Sequence, residues 1–227
     1  MQLIVVDDMQ TPEHRHLLED MWRLRARVFA ERLNWQVASA DGIERDQFDD
    51  HDPTYILGVE DGTRVVGCVR LLPPLRSSML QDVFPELLHK RSLHMHERMI
   101  ESSRFCIDRI SGAAQPSSDI QGLKAEKEAR RAGVTRTSII QSRTRALLAG
   151  IVEWSLARGY DELVTATDVK FERLLNMVGW PLKRLGTPQL INETHSVAGS
   201  LVISQDVLKC LKPQGCHSPQ AQSDRAE

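Results

Sequence analysis

Cysteine is scarce in this sequence: Cys68, Cys106, Cys210 and Cys216 are spread over 227 residues, and no two stand in CxxC spacing. A disulfide-stapled scaffold and a zinc ribbon are excluded, and reduced thiols are expected. There is no HExxH, and His89, His94 and His96 fall in a segment that reads as loop, so no metal site is expected. The longest apolar runs, such as Leu147–Leu148 to Ile151–Val152, are far too short to span a bilayer. The first six residues are followed at once by Asp7 and Asp8, which is unlike a secretory signal, so the cytoplasm is the expected location. A formal charge of −2 gives no reason to expect a nucleic-acid partner. No internal repeat is visible.

What is present is enough apolar residue, 41%, to build a sizeable core. Residues 2–6 read as an opening strand. Thr11-Pro12 reads as an N-cap with proline at the first helical position, and Leu17, Met21, Leu24 and Val28 then line one helical face. That helix is expected to end near Leu33–Asn34. Residues 35–52 lack a period and read as an acidic loop. Tyr55–Val59 and Arg64–Leu72 flank Glu60-Asp61-Gly62-Thr63, the pattern of a hairpin that Pro73-Pro74 stops. A short helix over 79–89, a strand over Met99–Asp108, a long helix over 135–158 and a strand over Leu163–Thr167 follow. A helix over 169–178 and a final strand including Leu201–Ser204 complete the pattern.

This order predicts an α/β fold, a mixed and mostly antiparallel sheet with helices on both faces. It is similar in plan to the N-acetyltransferase-like folds. One domain is expected over 1–211, with 111–133 an exposed insertion rich in Gly, Ser, Gln, Lys and Ala, and 212–227 a disordered tail.

Three constellations carry chemistry. Arg25 and Phe29 stand four apart beside the apolar stripe, followed by Trp35. An arginine beside a buried stripe needs an acceptor. The acidic loop supplies Asp41, Glu44, Asp46, Asp49, Asp50 and Asp52 around a single cation, Arg45, and such a cluster repels itself unless positive charge sits among it. Arg70 lies in the second hairpin strand, and Glu101-Ser102-Ser103-Arg104-Phe105 lies in the next. Alternation places Glu101, Ser103 and Phe105 on a face that excludes Arg104, so a shared site for Glu101 and Arg104 requires a β-bulge between them. Taken singly, each has a structural explanation: a snorkelling arginine, a solvated charge run, an ion pair in a sheet.

Taken together, their order and spacing resemble the autoinducer-synthase family, the acyl-homoserine-lactone synthases. The family pattern is an RxxxF helix segment, a tryptophan, a DxxD pair, an arginine before a proline-rich turn, and ExxRF. Arg25, Phe29, Trp35, Asp46, Asp49, Arg70, Glu101 and Arg104 fill it here, and Asp82-Val-Phe-Pro-Glu-Leu-Leu and Leu163-Val-Thr-Ala-Thr also look like family segments. The similarity covers roughly residues 1–205.

The resemblance implies acyl transfer to the amine of S-adenosylmethionine, then ring closure with loss of methylthioadenosine. It implies no cofactor, only S-adenosylmethionine as substrate. On this reading Asp46 and Asp49 meet the sulfonium and ammonium, Arg104 or Arg25 holds the carboxylate, and Arg70 belongs to the same binding set. Phe29 and Trp35 flank the adenine and sulfonium. Glu101 helps remove the amine proton, and backbone N–H groups near Phe105 hold the oxyanion. Thr165 and Thr167 line the acyl pocket, where a Thr167 hydroxyl would meet an oxygen on the acyl C3.

Seven cations between Lys124 and Arg145 face only Glu126 and Glu128, a local charge of +5. Lys124, Lys127, Arg130 and Arg131, extended by Arg173, Lys183 and Arg184, suit docking of an acidic acyl carrier protein, with acyl-coenzyme A the other possible donor. Two readings compete. Arg130-Arg131-Ala132-Gly133-Val134-Thr135 approximates the Q/RxxGxG/A pyrophosphate cradle of an acetyl-coenzyme A N-acetyltransferase, but Thr135 stands where Gly or Ala belongs. A non-catalytic ligand sensor on the same fold is the other, against which Glu101 and the carboxylates argue.

Overall fold

The computed structural model describes residues 1–7, 11–33, 35–75, 77–109 and 136–212. The expected insertion over 111–133 and the tail beyond Lys212 lie outside these residues, as do Lys124, Lys127, Arg130 and Arg131.

Strand β1 (Gln2–Val6) leads into α1 (Pro12–Arg25), whose Thr11 cap accepts a hydrogen bond from the His14 N–H at 3.3 Å. The helix then widens into a π-helical turn over Ala26–Arg32. A two-residue hairpin, β2 (Ser39–Ala40) and β3 (Ile43–Glu44), and a 3₁₀ turn over Gln47–Asp50 occupy the acidic loop. β4 (Thr54–Glu60) and β5 (Arg64–Leu72) form the expected hairpin. Asp61 and Gly62 both take positive φ, 54° and 78°, as a primed turn demands. The segment expected to be helical over 79–89 is a single turn, α2 (Met79–Asp82), followed by 3₁₀ turns at Pro85–Leu87 and His89–Arg91. Pro85 and the positive φ of Lys90 and Arg91 stop it from continuing.

β6 (Met99–Ile107), α3 (Arg136–Ala157), β7 (Glu162–Asp168) and α4 (Val169–Met177) follow. The chain closes with β8 (Lys183–Arg184), β9 (Gln189–Ile191), β10 (Thr194–Val202) and α5 (Gln205–Leu211). The last strand thus ends before Ser204, which instead caps α5 by accepting from the Val207 N–H.

The strands form one eight-stranded sheet in the order β1-β4-β5-β6-β7-β10-β8, with β9 on β10. Every pairing is antiparallel except β6–β7. A parallel pair needs a long crossover, and α3 lies on that connection. Strand alternation divides the core. Ile56, Val69, Leu71, Ile100 and Leu163 face Leu147, Leu148, Ile151 and Val152 of α3, with Leu175, Leu208 and Leu211 beside them. Tyr55, Leu57, Val65 and Cys68 face Leu17, Leu18, Met21, Leu24 and Val28. Past α1, this second face is covered by Leu80, Leu87, Leu88 and Leu93, packed on Met99, Val164 and Ala198. Helices therefore lie on both faces, as expected. Among the described residues no helix is long and apolar enough to cross a membrane, no cluster could hold a metal ion, and Cys68, Cys106 and Cys210 are free thiols.

Candidate active site

Two irregularities of β6 create the site. The first is a bulge. Cys68 pairs with Cys106, but Arg70 pairs with Ser103, so β6 carries one residue more than β5 across this step. Arg104 takes φ 54° there, the left-handed region unfavourable for a residue with a Cβ. The bulge turns Arg104 onto the α1 face with Glu101 and Ser103. It also sends Phe105 to the opposite face, where its ring lies 4.9 Å from that of Phe171. The face shared by Glu101 and Phe105 in a regular strand is thus lost, because the extra residue shifts the alternation by one.

The second irregularity is a split. β6 and β7 pair only over Met99–Ser102 and Glu162–Thr165, although both strands run on to Ile107 and Asp168. Thr165 stands at the fork and donates its hydroxyl to the Ser102 carbonyl at 2.9 Å. A cavity of about 470 Å³ passes through the gap. On the α1 face it is lined by Phe29, Trp35, Phe84, Glu101, Ser103 and Arg104; on the other by Phe105, Leu148, Thr167, Phe171 and Trp180. One half is polar and aromatic and the other almost wholly apolar, a division suited to an amphipathic substrate.

Beneath the polar half lies a buried ion network. Arg25, Glu44, Asp49 and Arg70 are fully buried. Arg25 donates to Glu44 through Nε and to both oxygens of Asp49 at 2.7 and 2.9 Å. Asp49 also accepts from Arg70 at 2.9 Å, the Tyr55 hydroxyl at 2.6 Å and the Asp46 N–H at 2.8 Å. Asp46 accepts from the Phe48 N–H and from Arg70 at 2.5 and 3.1 Å, and pairs with Arg104 at 2.6 Å. Three guanidiniums thus meet three carboxylates. Burial alone would raise the carboxyl of Asp49, but hydrogen bonding and charge from Arg25 and Arg70 hold it well below its ordinary range.

The geometry separates the expected residues that line the cavity from those that stand behind it. The oxygens of Asp46 and Asp49 are already occupied by donors, and neither residue, nor Arg25 or Arg70, lines the cavity. Arg104 alone of the three arginines reaches the cavity. Its Nε donates to Glu44 at 3.0 Å and, among the described residues, its Nη1 meets only the Met79 sulfur, at 3.8 Å, which leaves N–H capacity for a ligand. Glu44, one acid among six in the loop, is the residue that sequence reasoning did not single out; it links Arg25 to Arg104.

Phe29 and Trp35 stack with ring centroids 5.2 Å apart, and Arg104 lies 5.6 Å over Phe29. The π turn sets this stack: the Trp35 N–H donates to the Phe29 carbonyl at 2.8 Å. Glu101 is 2% exposed. One oxygen accepts from the Leu80 N–H at 2.7 Å, and the other has no hydrogen-bond partner among the described residues. Burial pushes its carboxyl up to about 7, against the pull of Ser78 and the nearby amides. A carboxyl that is half ionised near neutrality suits proton transfer.

Of the basic segment, Arg143 is buried and committed to Glu60 at 2.7 Å and to the Asp108 carbonyl at 2.9 Å, and Arg145 donates to the Cys210 carbonyl. Arg184 pairs with Glu172 at 2.6 Å. Arg173 and Lys183 are exposed.

The sequence profile of the autoinducer synthases matches residues 8–123 and 125–211. The chain is 43% identical over 218 residues to a probable acyl-homoserine-lactone synthase of Sinorhizobium fredii (strain NBRC 101917 / NGR234), covering 96% of this chain and 95% of that protein. It is 41% identical to the acyl-homoserine-lactone synthase of Agrobacterium fabrum, covering 96% and 94%. The fold is similar to the crystal structure of the AHL synthase LasI, with a TM-score of 0.73, 28% identity and coverage of 92% and 93%. It is similar also to TofI in a ternary complex with an inhibitor and MTA, with a TM-score of 0.71, 30% identity and coverage of 93% and 96%. A split N-acetyltransferase-like sheet, an ExxRF bulge over a buried Arg–carboxylate network and these relatives agree: the chain belongs to the autoinducer synthase family, the acyl-homoserine-lactone synthases.

Proposed function

We propose that this acyl-homoserine-lactone synthase acylates the amine of S-adenosylmethionine from an acyl thioester and then closes the lactone. The observation that carries the scheme is the single cavity running from Glu101 and Arg104, through the β6–β7 gap, to the apolar pocket beneath α3 and α4. S-adenosylmethionine occupies the polar half. Arg104 holds its carboxylate, and the Phe29–Trp35 stack flanks the adenine and sulfonium. Arg25, Asp46, Asp49 and Arg70 fix Arg104 rather than touch the ligand. The relative TofI was crystallised with MTA, the by-product this scheme releases.

Glu101, ionised, accepts the ammonium proton, directly or through a water. The freed amine attacks the thioester carbon; a C–N bond forms, the C–S bond breaks, the nitrogen's second proton passes to the departing thiolate, and Glu101 returns the first to solvent. Backbone N–H groups at the bulge beside Phe105 stabilise the oxyanion. The methionine carboxylate then displaces methylthioadenosine from the γ-carbon, and the sulfonium leaves as a neutral thioether. No covalent enzyme intermediate is needed. The acyl chain lies among Phe105, Phe171 and Trp180. The Thr165 hydroxyl is engaged at the fork, and Thr167, whose hydroxyl bonds to no described residue, faces an oxygen on the acyl C3. The donor is an acyl carrier protein, for which Arg173 and Lys183 offer exposed cations, or an acyl-coenzyme A.

Purified protein with S-adenosylmethionine and each acyl thioester tests the proposal, with lactone and methylthioadenosine followed by mass spectrometry. Equal release of both is expected. Acetyl-coenzyme A binding with no lactone from any donor would return the chain to the N-acetyltransferase reading.

A further inference from the structure

Two arginines outside the buried network line the same cavity. Arg32 ends the π turn and Arg109 follows β6; both are exposed, whereas Leu148, Leu163, Leu175 and Trp180 at the far wall are buried. Arg32 is tied to the strand, because its Nη1 donates to the Ile107 carbonyl at 3.2 Å. The two guanidiniums are close enough to repel. Burial first, and then the charge of Arg109, lower the pKa of Arg32, while Cys106 and Asp108 pull the other way. A phosphate lying between two guanidiniums that line one cavity can accept from both.

Distance selects the anion. From Ser103, beside the expected thioester, to Arg109 is six residues, one absorbed by the bulge, or about 17 Å at strand spacing. An extended pantetheine arm has about thirteen bonds from sulfur to phosphorus, which at about 1.2 Å per bond of extended chain is roughly 16 Å. A phosphate carried by that arm therefore arrives at the rim when its sulfur is at Ser103.

We infer that Arg32 and Arg109 form a phosphate clamp for the pantetheine arm of the acyl donor. The inference rests on the synthase reading. The clamp recognises a phosphate ester, which a carrier protein and coenzyme A both present, and it acts on donor capture rather than on chemistry at the thioester.

The test compares kcat/KM for four donors with one acyl chain: acyl-pantetheine, acyl-phosphopantetheine, acyl-coenzyme A and the acylated carrier protein. Wild type is expected to favour acyl-phosphopantetheine over acyl-pantetheine by about tenfold or more, the scale of charge-assisted hydrogen bonds. Arg32→Gln and Arg109→Gln each remove most of that preference, Arg32→Lys keeps part of it, and rates on acyl-pantetheine stay near wild type, which also reports an intact fold. Which of the last two donors suffers more in the variants identifies the natural phosphate source. Equal losses on the phosphate-bearing and phosphate-free donors, or no preference in wild type, would overturn the clamp. Lactone from none of the four donors would overturn the synthase reading and the clamp with it.

Discussion

Replacing Glu101 by glutamine separates the cost of burying this carboxylate from its use. Its carboxyl sits at about 7 when folded, against an ordinary value of 4.5. The folded state therefore binds the proton more tightly, so stability is fullest below 4.5 and is lost as pH rises through 7. With 1.36 kcal/mol per pKa unit, the loss between pH 5 and pH 9 is about 2.5 kcal/mol. Glutamine preserves the bond from the Leu80 N–H but does not ionise. Its NH2 then occupies the position of the unpartnered oxygen, at about 1–3 kcal/mol that does not vary with pH. Urea unfolding at pH 5 and pH 9 is the assay, and the variant should lose about 2.5 kcal/mol less than wild type over that interval. Its kcat should fall by about 10²–10⁴, and the wild-type rate should climb with pH through about 7. Parallel stability profiles for the two proteins, or a folded variant within a few-fold of wild-type rate, would refute the assignment.

Asp49→Asn leaves Arg25 and Arg70 buried with too little counter-charge and should cost about 3–5 kcal/mol in denaturant unfolding. Because the pKa of Asp49 is depressed, its contribution is present at neutral pH and lost on acidification, so the variant's acid limb should be shallower; a loss under 1 kcal/mol would show that the network is not coupled. Arg104→Gly and Arg104→Ala should both be inactive. At φ 54°, however, glycine should be the more stable of the two by about 1 kcal/mol, the reverse of the usual order, as thermal melts will show. Thr167→Val keeps shape but removes the hydroxyl, and should shift competition between 3-oxo and unsubstituted donors about fivefold toward the unsubstituted one, the scale of a 1 kcal/mol hydrogen bond.

Much of this architecture is written in local pattern. Thr11-Pro12, the apolar spacing of Leu17 to Val28, Asp61-Gly62 and the β-branched runs each specify an element without tertiary help. The bulge was legible only as a condition: if Glu101 and Arg104 share a site, β6 must be irregular between them. The π turn at Ala26–Arg32 left no such trace, because the same apolar spacing serves an i→i+4 or an i→i+5 ladder. Phe29 still reaches the site, but through a stack on Trp35 that spacing alone does not specify. β2, β3, β8 and β9 are two or three residues long, too short for a period. Helix α5 had a capping serine at Ser204 but spans only 7 residues, too few for a helical period to stand out. The roles of Asp46 and Asp49 turned on partners far along the chain, and a list of acids in a loop does not say which oxygens are already taken.

The fork between β6 and β7 also bears on kinetics. Because the cavity opens on one sheet face toward Arg104 and continues on the other beneath α3, the proposed scheme gives nucleophile and acyl chain separate seats, and neither must vacate for its partner to arrive. Initial-velocity lines for the two substrates should therefore intersect rather than run parallel. On that scheme the two products part along different routes: a compact nucleoside thioether from the polar mouth, and a lactone that has first to draw its tail back through the gap.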